Sequence, residues 1–154
     1  MKTYEDKLSA YLTGQIPSAE HLVFEQSCHS VAEAAEAADA SPDELVKNVC
    51  MVDSDNNLIV AIVRGADRVS TSRVGKALGV ERPRMATFDE VLEKTTYPCG
   101  GVPSFGYSAV FLVDTRVTEL ESVLSGGGSE RALVRVNTKD LLQANNAQVV
   151  RVRK

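Results

Sequence analysis

The chain has 154 residues, 44% hydrophobic and 25% charged, with a net charge of −4 at pH 7. That length fits a single domain, 1–154, which buries roughly two-thirds of its unfolded surface and needs no metal or disulfide to hold it. The acidic balance argues against a protein that grips long stretches of nucleic-acid backbone and leaves only local contact with such a polymer.

Residues 3–13 predict a short helix with Tyr4, Leu8, Tyr11 and Leu12 on one face, ended by Gly14 and Pro17. Residues 21–26 read as a first strand. Ser30-Val31-Ala32-Glu33 is a capping box that opens an alanine-rich helix to about Asp39. Ser41-Pro42-Asp43-Glu44 predicts one helical turn with proline at its first position. It leads into a strand over 45–52. The polar turn 53–57 and the apolar run 58–63 then complete a β-hairpin. Lys47, Val49 and Met51 share one face of the first hairpin strand, and Val46, Asn48, Cys50 and Val52 share the other. Both faces are largely apolar, so a central strand is expected.

Residues 70–78 suit a helix closed by Gly79. Residues 83–86 suggest a short strand, and Thr87-x-x-Glu90 is a second capping box for a helix to about Lys94. A glycine-rich loop occupies 99–106. Strands follow at 109–113, ending at Asp114, at 122–124 before Gly126-Gly127-Gly128, and at 132–136. Thr138 is expected to cap a short helix, and 148–152 forms a last strand. About seven strands and four or five helices, mixing hairpins with crossovers, predict an α+β fold. Its sheet should be curved, mixed and largely antiparallel.

Three cysteines, Cys28, Cys50 and Cys99, make an odd count with no CxxC, which argues against disulfides and structural zinc. Residues 1–20 lack an apolar leader core, and no apolar run nears the roughly 18 residues of a membrane span. A reducing, cytoplasmic setting without membrane contact is expected. Arg64, Arg68, Arg73, Lys76, Arg82 and Arg84 fall within 21 positions. They form either a solvated face or a local basic footprint.

Several residues carry two readings. Lys47 is either a strand lysine whose stem packs while its ammonium reaches water, or a cation held in a pocket for a phosphate or carboxylate. The loop 99–106 is either a tight connection or a set of main-chain N–H groups for a carbonyl or developing oxyanion. The triple glycine is either a flexible hairpin loop or a close backbone approach. Asp114 is either a turn residue or a ligand for a substrate amine. Ser30 caps a helix whose N-terminus also suits an anion. His21 and His29 are the only histidines, and neither sits in a metal-ligand spacing. No metal or cofactor is called for.

These pieces, in this order, resemble the YbaK-like aminoacyl-tRNA deacylases, the prolyl-tRNA-synthetase-associated editing domains. The matching segments include 30–35, 44–49, 64–69, 86–91, the glycine loop, Val113-Asp114 and the triple glycine. The resemblance implies hydrolysis of the ester that joins a wrong small amino acid, such as alanine or cysteine, to the 3′ end of a prolyl-type tRNA. It implies the tRNA acceptor end as partner, with prolyl-tRNA synthetase as an associated one. It places catalysis on Lys47 and Gly101. It places substrate binding on Ser30, Gly100 and Asp114; Pro103 of the loop, Gly127 of the triple glycine and Arg68 of the basic cluster are further substrate-binding candidates. One departure stands out: the family loop commonly carries proline where this chain has Ser104, and here the proline is Pro103. Proline fixes φ and removes a donor, so the shift alters the loop path and with it specificity or activity. A non-catalytic module that binds nucleotides, RNA ends or a synthetase in the same pocket is the alternative reading.

Overall fold

The computed structural model describes residues 3–28 and 30–154. His29 lies outside them. Helix α1 (Tyr4–Gln15) precedes strand β1 (Glu20–Val23), and α2 (Val31–Ala37) precedes a 3-10 turn, Pro42–Glu44. The hairpin β2 (Val46–Val52) and β3 (Leu58–Arg64) comes next, then α3 (Thr71–Leu78), β4 (Arg84–Met85) and α4 (Phe88–Thr95). The chain ends with β5 (Val110–Val113), β6 (Ser122–Gly126), β7 (Ala132–Asn137), α5 (Thr138–Asn145) and β8 (Gln148–Val149).

The strands form two sheets. One is antiparallel in the order β1-β7-β6; the other is mixed, in the order β4-β2-β3-β5-β8. Within the second, β3 runs parallel to β5 and β5 parallel to β8. A single parallel bridge between Leu45 and Leu124 ties the two together. The expected α+β class with a mixed sheet is what the chain adopts.

Local signals explain most boundaries. Ser30, Ser70 and Thr87 accept the N–H of Glu33, Arg73 and Glu90, so each satisfies a donor the first helical turn cannot. Gly79 ends α3 in the left-handed region at φ 67°. Asp53 Oδ1 accepts the N–H groups of Asp55 and Asn57 and so shapes the hairpin turn. Some expectations shift: β1 ends at Val23 and β8 at Val149, short of the expected 26 and 152. Helix α1 continues through Gly14 to Gln15, and the cap of α5 is Asn137, whose side chain accepts from Lys139 N–H, with Thr138 as the first helical residue.

The alternation along β2 and β3 divides the interior. Val46, Cys50, Val60 and Ile62 face a core shared with Leu8 and Leu12 of α1, Phe105 and Leu141. Met51, Ile59, Ala61 and Val63 face a second core with Val74 of α3, Leu112 and Val152. Burial of Leu8 and Leu12 stabilises the docking of α1 by about 2 kcal/mol each. A smaller cluster sets Ala34 and Ala35 of α2 against Leu45, Leu124 and Leu133. Strand β3, not β2, is central. Strand β4 pairs with β2 at Met51 and Val52, and Ala86 N–H adds a bond to Cys50 O, which leaves the edge of residues 46–49 open along most of its length.

Candidate functional site

That open edge forms one wall of a cavity of about 400 Å³. Ser30, Val31 and Ala34 close it on the α2 side, and Leu124, Ser125 and Gly126 of β6 form the floor. Cys99, Gly100 and Val102 of the glycine loop face β2 across it. Met85 and Phe88 form an apolar rim, 56% and 80% exposed.

Lys47 lines this cavity and is the only lysine, arginine, aspartate or glutamate among the described lining residues. No carboxylate pairs with it among the described residues. A half-buried cation without a counter-ion, in walls made largely of carbon, creates a field that favours an anion or a polarised carbonyl.

The glycine loop is held from several sides. Gly101 N–H donates to Pro98 O at 3.0 Å, and Gly128 N–H donates to Gly101 O at 2.8 Å. Tyr107 Oη donates to Pro103 O at 2.7 Å, and Asn145 Nδ2 donates to Ser104 O at 3.0 Å. Phe105 is fully buried and stacks on Tyr11, 5.8 Å between ring centres. Gly100 takes φ 89°, and its N–H finds no acceptor among the described residues.

The structure thus brings together Lys47, Gly100 and Ser30, while the other sequence-derived candidates sit elsewhere. Gly101 does not line the cavity, because a Cβ there would lie 2.5 Å from Gly128 C and its N–H is already used within the loop. Pro103 and Gly127 are buried behind the wall; Gly127 O accepts from His21 Nε2 at 2.8 Å. Arg68 is exposed outside the cavity, its carbonyl accepting from Lys154 N–H. Asp114, expected to meet a substrate amine, is fully buried and saturated by Val152 N–H, Arg153 N–H, Arg116 N–H and the Arg153 guanidinium. Burial pushes its carboxyl up, but those donors outweigh burial and hold it below the usual carboxylate range. The basic footprint is also partly spent: Arg64 pairs with Asp43, and Arg84 forms a two-pronged pair with Glu90 at 2.7 and 2.8 Å.

Sequence reasoning missed the polar part of the floor. Asn48 Nδ2 donates to Val102 O at 2.9 Å and to Ser125 Oγ at 3.2 Å. Ser104 Oγ donates to Asn48 Oδ1 at 2.6 Å and lies 2.7 Å from Ser125 Oγ. A signal was present, since an asparagine on the face of Val46 and Cys50 must find buried partners. All three cysteines also line the cavity. Burial, then the nearby Cys99, pushes the Cys50 thiol up to about 12, and burial raises Cys28 and Cys99 as well. None is a thiolate nucleophile at neutral pH.

The family model described as the aminoacyl-tRNA editing domain matches residues 25–144. The chain belongs to this family. Among solved structures, a candidate trans-editing enzyme for prolyl tRNA synthetase is 25% identical, with a TM-score of 0.91 over 100% of this chain and 99% of that one. The hypothetical protein APE2540 is 28% identical, with a TM-score of 0.87 over 96% of this chain and 99% of its own. The uncharacterized protein YwhH of Bacillus subtilis (strain 168) is 24% identical over 128 residues, 82% of this chain and 81% of that protein. No helix among the described residues of this editing domain is long and apolar enough to cross a membrane.

The glycines of β6 are part of how the editing domain builds its floor. A Cβ on Gly126 would lie 2.1 Å from Val102 O, the carbonyl that Asn48 holds. Gly126→Ala must therefore push the loop off the floor. The expected cost is about 3 kcal/mol, a fall in melting temperature of about 6–12 °C followed by circular dichroism. An unchanged transition would mean that loop and strand do not meet as described.

Proposed function

We propose that the chain is a trans-editing hydrolase that removes a wrong small amino acid, such as alanine or cysteine, from the 3′ end of a prolyl-type tRNA. One observation carries the reading: Lys47, which has no carboxylate partner among the described residues, lines the same cavity as Gly100, whose N–H has no acceptor among them, in a chain of the editing-domain family.

The chemistry asks little of the protein. Water adds to the ester carbonyl carbon, the C–O bond to the ribose breaks, and the products are a free amino acid and a 3′ hydroxyl. No carboxylate lines the cavity among the described residues to serve as a general base. The neighbouring ribose hydroxyl of the substrate is suited to orient the water. Gly100 N–H stabilises the developing oxyanion, a kind of contact often worth about 3 kcal/mol. Lys47 attracts the negative charge of the same intermediate or the terminal phosphate. Phe88 and Met85 at the rim offer a flat apolar surface on which a terminal base stacks.

Hydrolysis of alanyl-, cysteinyl- and seryl-tRNA of the prolyl type tests this. Release of at least one small amino acid is expected, with discrimination between neighbours of about 1–3 kcal/mol, set by cavity volume. Binding without release across the panel would sink the hydrolase reading. One feature favours that alternative, a module that binds RNA ends or a synthetase: Gly101 N–H is spent on Pro98 O, so the glycine loop offers the oxyanion Gly100 without its neighbour.

A further inference from the structure

The direction of every hydrogen bond in the cavity floor follows from one carbonyl. Val102 O can only accept, so the atom of Asn48 at 2.9 Å from it is the amide nitrogen. The other amide oxygen, Oδ1, then faces Ser104 Oγ at 2.6 Å, and Ser104 must donate to it. Ser104 has a single proton. The 2.7 Å contact between Ser104 and Ser125 must therefore be donated by Ser125. Ser125 has now spent its proton and accepts from Asn48 Nδ2 at 3.2 Å. The three side chains close a ring in which every proton has been used. What remains are lone pairs on Asn48 Oδ1 and Ser125 Oγ, and both residues line the cavity.

We propose that this ring is an ammonium-binding subsite for the α-amino group of the acyl moiety, with Ser104 as the positioning residue that makes its cavity side acceptor-only. The inference rests on the editing reading of the cavity and names what that reading leaves open. An aminoacyl ester brings one cation with it, and no carboxylate among the described lining residues can meet that cation. Neutral acceptors must do so. Asn48 neighbours Lys47 on β2 and projects from the opposite face of the strand, so the two side chains point in different directions.

The test uses two non-hydrolysable probes: 3′-deoxy-3′-(alanylamino)adenosine and its propanoyl counterpart, in which a hydrogen replaces the ammonium. Calorimetric titration of the full chain should show the alanyl probe bound about tenfold more tightly or better, as a charge-assisted hydrogen bond requires. Ser104→Ala frees the Ser125 hydroxyl to turn its proton into the cavity, and the preference should fall to about threefold or less. Ser125→Ala removes one acceptor while Ser104 still donates to Asn48, and should also lower the preference. It carries the test if Ser104→Ala does not fold. A purely structural role for Ser104 would weaken both probes alike and leave their ratio intact. Equal binding of the two probes by the native chain, binding of neither, or a full preference retained in the folded variants overturns the proposal. The readout is binding, so the two readings fail separately. A preference without hydrolysis in the tRNA panel leaves the subsite standing and removes the hydrolase; hydrolysis without a preference does the reverse.

Discussion

Lys47→Ala is expected to lower single-turnover hydrolysis of mischarged tRNA by about 10²–10³-fold while the fold persists. The size of the effect follows from the surroundings of the ammonium. At about 4 Å and an effective dielectric of about 20, a unit charge opposite the developing oxyanion or a phosphate is worth roughly 4 kcal/mol. No carboxylate among the described lining residues competes for it. The effect on stability is different in kind. Lys47 is half-buried and has no ion-pair partner among the described residues, so truncation removes only the packing of its stem, about 1 kcal/mol. The melting temperature should move by about 2–4 °C. Lys47→Met preserves most of the stem and should be as inactive as the alanine variant. Lys47→Arg retains the charge in a wider, planar group and should recover part of the rate. Turnover of Lys47→Ala within about threefold of the native rate would remove this residue from the chemistry, since a lost charge contact of this kind costs far more.

The hairpin, the helix caps and the glycine at the end of α3 were legible because their causes are local. Asp53 shapes its turn through N–H groups two and four residues away, and each cap reaches three residues ahead. Lys47 and Gly100 were legible for a related reason: a charge in an apolar strand and a glycine before a strand each break a local pattern. The remaining parts of the site depend on partners far away in the chain. Ser104 looked like a change in loop path, yet its hydroxyl matters through Asn48, 56 residues earlier, and Ser125, 21 residues later. The triple glycine left a flexible loop and a close backbone approach both open, and the packing of Gly126 and Gly127 against the backbone at Val102 and Ala132 decides for the second. Gly101 was expected as the catalytic amide and Gly100 as a substrate-binding one. Only the turn closed by Pro98 O shows that the Gly101 N–H is occupied, while the Gly100 N–H has no acceptor among the described residues. Strand β2 read as central because both faces are apolar. The sequence pattern could not distinguish apolar residues covered by a neighbouring strand from those that line a cavity.

Asp114→Asn should be among the most destabilising single substitutions in this chain, at about 3–5 kcal/mol, or a loss of about 10 °C in melting temperature. Asp114 ends β5, and its two oxygens gather the C-terminal segment: Oδ1 accepts from Val152 and Arg153 N–H, and Oδ2 from Arg116 N–H and the Arg153 guanidinium at 2.8 Å. Asparagine keeps the shape but turns one oxygen into a donor facing donors, and leaves the Arg153 guanidinium, 18% exposed, without its anion. The pH dependence distinguishes this from a packing defect. The folded carboxyl sits below its ordinary value, because the bonds from Val152, Arg116 and Arg153 outweigh the upward push of burial. Its contribution is therefore complete above the unfolded value, about 3.9, and disappears as pH falls through the lower folded value. Glu90, drawn down to about 2 by hydrogen bonds from Arg84 and then the Thr87 N–H, titrates in the same acid range. It does so in both proteins and cancels from their difference. Urea unfolding at pH 7 and pH 3 should therefore show the native chain and Asp114→Asn far apart at the first and closer at the second. An equal gap at both pH values would mean that the buried charge of Asp114 is not what holds the C-terminal segment to the sheet.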